Sequence, residues 1–311
     1  MAKEKITIMG SFIVDLMART PHLPVPGETV MGSSFKIGPG GKGSNQAIAA
    51  KRLGAEVTMV TKIGKDFFGK EVALRTFKNE GMDTSYVFQD DELSTGTALI
   101  MVDENTSENK IVVTAGACQN IGDDEIEKAR KSIESSAVLL TQLETNMSAL
   151  EKAIAIAHAK GVRVILNPAP AHEVPERILK MVDILTPNEV EASILSGVQI
   201  KNIDDARKAA HALIGRGVGS VIITLGSKGA LVVSEGKEKT IKRLIVDVVD
   251  TTGAGDAYNG GLATGLSEGM DIFEAAEFAN KVAALSVTKI GTAPAMPYRA
   301  DVDNLKARTG R

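Results

Sequence analysis

Tryptophan is missing from this chain of 311 residues, and aromatic side chains make up only 4% of it. Hydrophobic residues still reach 43%, so a sizeable core is expected, packed from aliphatic side chains. The single cysteine, Cys118, excludes an intramolecular disulfide and a cysteine-based zinc cluster. No base stands beside it in the sequence, and it reads as a plain small core residue. The four histidines, His22, His158, His172 and His211, make no metal-binding pair of the HExxH kind. Charge is unremarkable as well: the net value is −3, with both signs spread along the chain. That argues against a nucleic-acid partner and against an acidic docking arm. No apolar run reaches membrane-spanning length, and the first one, 6–9, is too short for a signal peptide. No membrane partner is expected, and the expected location is the cytoplasm. Internal repeats and low-complexity segments are absent too.

What the chain has is a βα rhythm. Aliphatic runs of strand length at 6–9, 57–63, 137–140, 162–166, 184–185 and 221–225 alternate with amphipathic segments at 46–53, 69–80, 123–132, 148–160 and 204–216. Continuous apolar strands between helices predict a parallel sheet covered on both faces. A hairpin over 230–234 and 239–241, turning at Glu235-Gly236, and two long helices, 254–267 and 272–288, follow. Two stretches break the rhythm, 14–37 and 95–114, with strand-like alternation and Pro/Gly punctuation. They fit a small β-sheet standing off the main unit, which would comprise 1–13, 38–94 and 115–311.

Two glycine-rich stretches carry chemistry. After the apolar run 244–249 comes Asp250-Thr251-Thr252-Gly253-Ala254-Gly255-Asp256 and then a helical pattern. Small residues at a helix start leave backbone N–H groups uncovered at the positive end of the helix dipole, which makes an anion site. A carboxylate so close would repel phosphate, yet it would serve phosphoryl transfer to a hydroxyl as a base. The other reading is a glycine-rich strand–turn–helix junction with a capping aspartate. Near the N-terminus stands Gly38-Pro39-Gly40-Gly41-Lys42-Gly43-Ser44-Asn45-Gln46-Ala47. It is no P-loop, since Gly43 follows Lys42 where Ser or Thr is needed. It reads as a close-approach turn with donors at Lys42 and Asn45, or as a tight turn ahead of a helix.

Both stretches resemble the two signatures of the ribokinase-like sugar kinases, the PfkB family. The first has its GG-x-G-x-N-x-A core, with Gly54 and Gly64 at the family's spacing; the second has its D-[ST]-x-[GA]-[GA]-GD core. Further segments stand in family order: Pro26-Gly27-Glu28-Thr29-Val30, Ser94-Thr95-Gly96-Thr97-Ala98, Gln142-Leu143-Glu144, Asn167-Pro168-Ala169-Pro170-Ala171, Thr186-Pro187-Asn188-Glu189-Val190-Glu191 and Thr224-Leu225-Gly226-Ser227-Lys228-Gly229. The resemblance spans nearly the whole chain and is greatest to the ribose-phosphorylating branch.

The resemblance implies an α/β fold: a central, mostly parallel sheet flanked by helices, with a four-stranded β-lid over a sugar site. The lid is often a homodimer interface in the family. The implied reaction phosphorylates the primary hydroxyl of a pentose, ribose to ribose 5-phosphate, with ATP and magnesium. Asp256 would be the base, and the N–H groups of Gly253, Ala254 and Gly255 the anion hole. Asp15, Gly41, Lys42, Gly43, Asn45 and Glu144 fall on sugar-contacting positions. Asn188, Thr224, Gly226, Gly229, Gly255 and Asn280 fall on the nucleotide side, and Glu191 on the position that organises magnesium through water. Asp250, Thr252, Ser286, Lys289 and Gly291 fall where potassium is held, largely by carbonyl oxygens.

Two departures stand out. Ala295 replaces a serine common in this branch, which weakens the expectation of potassium. Ile13 replaces the asparagine of the common G-S-x-N-x-D segment, so the chain reads Gly10-Ser11-Phe12-Ile13-Val14-Asp15. A site lacking that amide would favour a sugar lacking the matching hydroxyl, such as 2-deoxyribose; alternatively Asp15 or water binds the hydroxyl. Two other classes compete. A noncatalytic sugar- or nucleotide-binding protein is disfavoured by the intact Gly-Ala-Gly-Asp. A dinucleotide oxidoreductase is disfavoured because the third glycine is missing and no acid follows about 20 residues on.

Overall fold

The computed structural model describes residues 4–106 and 108–305 together with the backbone of 308–309. Its strands are β1 (Lys5–Met9), β2 (Ile13–Thr20), β3 (Ser34–Gly40), β4 (Glu56–Gly64), β5 (Val87–Asp90), β6 (Gly96–Asp103), β7 (Asn109–Thr114), β8 (Val138–Gln142), β9 (Arg163–Asn167), β10 (Ile184–Leu185), β11 (Ser220–Thr224), β12 (Ala230–Ser234), β13 (Lys237–Ile241), β14 (Leu244–Ile245) and β15 (Arg308–Thr309). Its helices are α1 (Lys42–Arg52), α2 (Arg75–Asn79), α3 (Asp123–Glu134), α4 (Met147–Ala159), α5 (Glu176–Leu179), α6 (Glu189–Ser196), α7 (Ile203–Gly215), α8 (Ala254–Ser267), α9 (Ile272–Ser286) and α10 (Arg299–Asp303). Among the described residues, no helix is long and apolar enough to cross a membrane.

Nine strands form the main sheet in the order β13-β12-β11-β10-β9-β8-β1-β4-β5. Pairing is parallel from β5 to β11; β12 alone runs the other way, antiparallel to β11 and, through the hairpin at Glu235-Gly236, to β13. Both turn residues have positive φ, 50° and 73°, the two-residue turn that matches strand twist. The aliphatic runs build two cores because alternate side chains face opposite layers. Ile6, Ile8, Leu140, Ile165 and Ile222 meet α1, α8 and α9, while Leu139, Val164, Leu166, Val221 and Ile223 meet α3, α4 and α7.

A second sheet has the order β3-β2-β6-β7. Its central pair, β2 and β6, is parallel, with Asp15 opposite Ala98, and the outer pairings are antiparallel. One face carries Phe35, Ile37, Leu99 and Val112, all exposed.

Several elements differ from the sequence reading. The helix expected over 46–53 begins at Lys42, because the glycines here supply the turn and the first helical residues rather than a loop. The segment 69–80 is helical, but Gly69–Leu74 forms a wide turn of π type before α2. Strand β5 and helix α6 lay outside the aliphatic runs and amphipathic segments identified in the sequence. Among the described residues, the apolar run 244–249 has strand pairing at Leu244 and Ile245, and Val248 and Val249 are exposed.

Helix α8 lies wedged against both α1 and α9. A Cβ placed on Gly260 would sit 2.6 Å from Ala49 Cβ and 2.8 Å from the Gln46 carbonyl, and one on Gly261 would meet Ala279 and Val282. Gly260→Val should therefore force α1 and α8 apart and lower stability by about 1–3 kcal/mol. Chemical denaturation measures this, and an unchanged midpoint would mean that the contact relaxes without cost.

Candidate active site

β1 is the topological switch of the sheet, with β4 on one side and β8 on the other. Crevices for ligands open beyond the C-terminal strand ends at such a point. There the chain gathers Ser11 and Asp15 after β1, Glu144 after β8, Asn167 at the end of β9, Asn188 after β10 and Gly226 after β11.

Asp256 sits in the first turn of α8 and is buried. It does not cap the helix. Gly253 is the N-cap residue, in the left-handed region with φ 78°, a conformation that glycine takes without a Cβ penalty. Ala257 N–H reaches the Gly253 carbonyl at 2.9 Å and Ala254 N–H the Thr251 carbonyl, outside the helix, at 3.2 Å; the first N–H groups of the turn have no intrahelical acceptor. The Asp256 carboxylate instead turns toward α1. Its Oδ2 accepts from Asn45 Nδ2 at 2.9 Å and its Oδ1 from Gln46 Nε2 at 3.0 Å. Burial pushes Asp256 up to about 6, against the opposing pull of Lys42, Asn45 and Gln46, while Glu144 adds to the rise.

Glu144 is bound from two sides: Ser11 Oγ and the Lys42 backbone N–H, the latter at 2.9 Å, both donate to its Oε2. The Lys42 ammonium lies 3.8 Å from Oε1. Burial opposes that ammonium, but Asp256, Glu144 and Glu191 together hold Lys42 above its ordinary value. Gly41 is the N-cap of α1, and Gly43 lies so close to Gly10 that a Cβ would fall 2.6 Å from its backbone. Asp15 projects over Gly40, whose missing Cβ leaves room for the carboxylate. Burial raises Asp15 to about 6; a Thr292 hydrogen bond opposes this, and Glu144 and Asp256 add to it. The sugar-side positions therefore converge on one acceptor-rich space around a single lysine. Asn45 Oδ1 is buried there with no protein partner.

On the other side of Asp256, Asn188 caps α6. Its Oδ1 accepts from Val190 and Glu191 N–H at 2.9 and 2.8 Å, and Glu191 Oε2 accepts from Asn188 N–H at 2.9 Å. Burial raises Glu191, with Asn188 N–H and Lys42 opposing and Asp256 adding. Thr224 N–H donates to the Pro187 carbonyl at 2.9 Å, joining the β10 and β11 ends. Gly226 and Gly229 bound a short helical turn, and both have positive φ. Asn280 lies farther along, donating to the Lys242 carbonyl at 3.0 Å.

The residues expected around potassium also come together. Asp250 accepts from Thr252 and Gly291 N–H, each at 2.9 Å, and its own N–H donates to the Val287 carbonyl. Lys289 N–H reaches the Ser286 carbonyl at 3.3 Å. Burial opposes the Asp250 charge, but the Gly291 and Thr252 donors hold its carboxyl below the ordinary range. The Ser286 hydroxyl is turned away, to the Ala283 carbonyl. For a divalent ion, the described residues hold no group of three or more His, Cys, Asp or Glu able to bind a metal.

A cavity of about 480 Å³ opens beside Asp15, between the small sheet and the loops at 249–252 and 290–294, with Met17, Arg19 and Ile100 on the sheet side. A more open cleft of about 740 Å³ lies outside β3, against Lys65, Lys70 and Arg75. Asp256 lines neither opening; Asp15 and Asp250 line the smaller cavity and not the cleft, so the smaller cavity is the functional candidate. Ile13 is buried on the same face of β2 as Asp15 and packs with Ala98, Cys118 and Ile100. Residues that motif reading passed over are Gln46, Ser11 and Thr292. Gln46 and Ser11 lay inside quoted motifs, whereas Thr292 had no signal.

Residues 3–299 match the description "pfkB family carbohydrate kinase". A ribokinase of Haemophilus influenzae is 42% identical over 299 residues, covering 96% of this chain and 97% of the relative. A deoxyribokinase of Salmonella typhi is 37% identical over 293 residues, covering 94% and 95%. The structure of Arabidopsis thaliana ribokinase complexed with ribose and ATP aligns with a TM-score of 0.89 at 30% identity, over 97% of this chain and 98% of that one. The sheet order, the strand-end site and these likenesses agree: the chain belongs to the pfkB family of carbohydrate kinases.

Proposed function

We propose that the protein transfers the γ-phosphoryl group of ATP to the primary hydroxyl of D-ribose, giving D-ribose 5-phosphate. One observation carries the reading: a buried carboxylate, Asp256, in the first turn of α8, between an acceptor-rich sugar space and an anion-binding helix end. Asp256 takes the proton of the hydroxyl as its oxygen attacks phosphorus, a contribution of ~10²–10⁴ in rate. The N–H groups of Gly253, Ala254 and Gly255 hold the charge that develops on the phosphoryl oxygens. Asp15, Lys42, Asn45 and Glu144, with the backbone at Gly41 and Gly43, bind the sugar. Asn188, Thr224, Gly226, Gly229 and Asn280 line the nucleotide side. Magnesium, when bound, neutralises phosphate charge; Glu191 would orient its waters, since it keeps much of its hydration shell. Potassium, when bound at Asp250, Thr252, Ser286, Lys289 and Gly291, adds positive charge beside the anion hole.

A second reading, phosphorylation of 2-deoxyribose, is favoured by Ile13, an apolar side chain where an amide would serve a hydroxyl. Residues 14–37 and 95–114 act as the lid, apart from a main unit of 1–13, 38–94 and 115–311. The exposed apolar face at Phe35, Ile37, Leu99 and Val112 is the surface of a homodimer, because such a face has little core beneath it.

Four outcomes are expected. Asp256→Asn should nearly abolish turnover while leaving ATP and sugar binding intact. In the wild type kcat/KM should fall below about pH 6, more steeply than one ionisation allows, because Asp15 and Asp256 both take protons there. Turnover of the variant within tenfold of wild type removes Asp256 from the base role. Light scattering at micromolar concentration should give a dimer, and a Leu99→Glu, Val112→Glu double variant should be monomeric; a monomeric wild type refutes the pairing. Finally, Ile13→Asn should raise the ratio of kcat/KM for ribose over 2-deoxyribose, roughly tenfold for each ~1.4 kcal/mol gained by the new hydrogen bond. An unchanged ratio would leave Ile13 as packing and dismiss the second reading.

A further inference from the structure

Behind Asp256 runs a ring of buried side chains that the sugar and nucleotide contacts do not use. Gln46, fully buried in α1, donates one amide hydrogen to Asp256 Oδ1 at 3.0 Å and the other to Asn167 Oδ1 at 3.1 Å. Its Oε1 accepts from Gln142 Nε2 at 2.7 Å. Asn167 Nδ2 donates to the Thr186 carbonyl at 3.1 Å, and Thr186 Oγ1 donates to Asn259 Oδ1 at 2.6 Å. Asn259 Nδ2 closes the ring on the Gly255 carbonyl at 2.9 Å, next to Asp256. The ring joins the ends of β8, β9 and β10 to α1 and α8.

The Gln46 amide has one workable orientation. Turned over, its oxygen would face Asp256 Oδ1 and Asn167 Oδ1, and its N–H groups would face those of Gln142. Asn167 is fixed in turn by the Thr186 carbonyl, which only accepts. The charged groups around the carboxylate cannot supply this constraint. Lys42 from α1, Glu144 after β8, Glu191 from α6 and Asp15 from β2 act on Asp256 through charge. Among the hydrogen bonds to its oxygens, the direct donors are Asn45 and Gln46. Asn45 also faces the sugar space with an unpartnered Oδ1. Gln46 has no such second task, since both of its amide atoms are engaged within the ring.

We propose that Gln46 is a positioning residue for phosphoryl transfer: its amide, locked by Gln142 and Asn167, fixes the plane of the Asp256 carboxylate against the acceptor hydroxyl. The inference rests on Asp256 as the base. The test compares Gln46→Met, Gln142→Met and Asp256→Asn by kcat, KM and Kd for ribose and ATP, and the pH profile of kcat. Gln46→Met should lower kcat about tenfold to a hundredfold, the scale of a hydrogen bond to a charged group, with Kd values within about threefold. Its acidic limb should move up by about one pH unit, because a donor to the charged form is gone. Gln142→Met does not touch Asp256 and should lower kcat less, in the same direction; it decides the matter if Gln46→Met fails to fold. A folded Gln46→Met or Gln142→Met enzyme with wild-type kcat and an unmoved limb, beside an inactive Asp256→Asn, overturns the role of Gln46 alone. An Asp256→Asn enzyme within tenfold of wild type overturns the base and the positioning role together.

Discussion

A carboxylate withdrawn from water is the constraint on which the rest of this site depends. Burying a charge is costly unless it is paired and hydrogen-bonded. Asp256 meets that demand with the Asn45 and Gln46 amides, the nearby Lys42 ammonium and the positive end of α8. The remaining cost appears as a carboxyl pushed up to about 6. A carboxyl raised in this way suits the base role proposed for it, since a general base works best with its titration near the operating pH.

Holding those partners in place is a packing problem. α1 supplies Lys42, Asn45 and Gln46, and α8 supplies Asp256, so the two helices must touch at their first turns. Gly260 permits this by leaving α8 without a side chain against Ala49 and the Gln46 carbonyl. The far end of α1 is anchored by Arg52, which pairs with Glu80 at 2.6 Å and donates to the carbonyls of Ala293 and Met296 at 2.9 and 2.8 Å. The segment so clamped carries Gly291 and Thr292, which meet Asp250 and Asp15. One helix thereby sets both the position of the carboxylate and that of the loop opposite it.

Much of this was legible in the sequence, for physical reasons. Buried parallel strands read as aliphatic runs, and their alternation with amphipathic helices gave the sheet and its two layers. The glycine-rich turns read as anion and close-approach sites because few side chains tolerate those positions. Other features were hidden. The run at 244–249 looked like a strand, yet among the described residues strand pairing is found at Leu244 and Ile245, while Val249 bonds a helix-end carbonyl, because strand formation is decided by pairing rather than by hydropathy. The cap at Asn188 was not hidden, since an Asn after Pro187 reads as a helix N-cap as well as a ligand-side residue, and the structure has it capping α6 in a box with Glu191. Gln46 sat inside a recognised motif without an evident task. Its partners Asn167 and Gln142 are about a hundred positions or more away, and a single sequence gives no measure of such contacts.

The charges around Lys42 bear on which ligands the space can accept. Glu144, Asp256 and Glu191 act on one lysine, with Asp15 beside Glu144 and Asp256; Asp15 and Asp256 are each raised to about 6, by burial first and by the Glu144 charge in addition. A bare triphosphate entering beside them would add like charge in a poorly solvated site, where such interactions are stronger than in water. It is acceptable only with a counter-cation and the helix N–H groups on its far side. A polyol has the opposite effect. Each hydroxyl carries a donor, and donors to a carboxylate favour its charged form. A sugar bound as proposed would therefore relieve the repulsion among the acids and favour the charged forms of Asp15 and Asp256. The excess of acceptors that disfavours an unaccompanied anion is the same property that favours a hydroxyl-rich ligand, which is what the proposed sugar site requires.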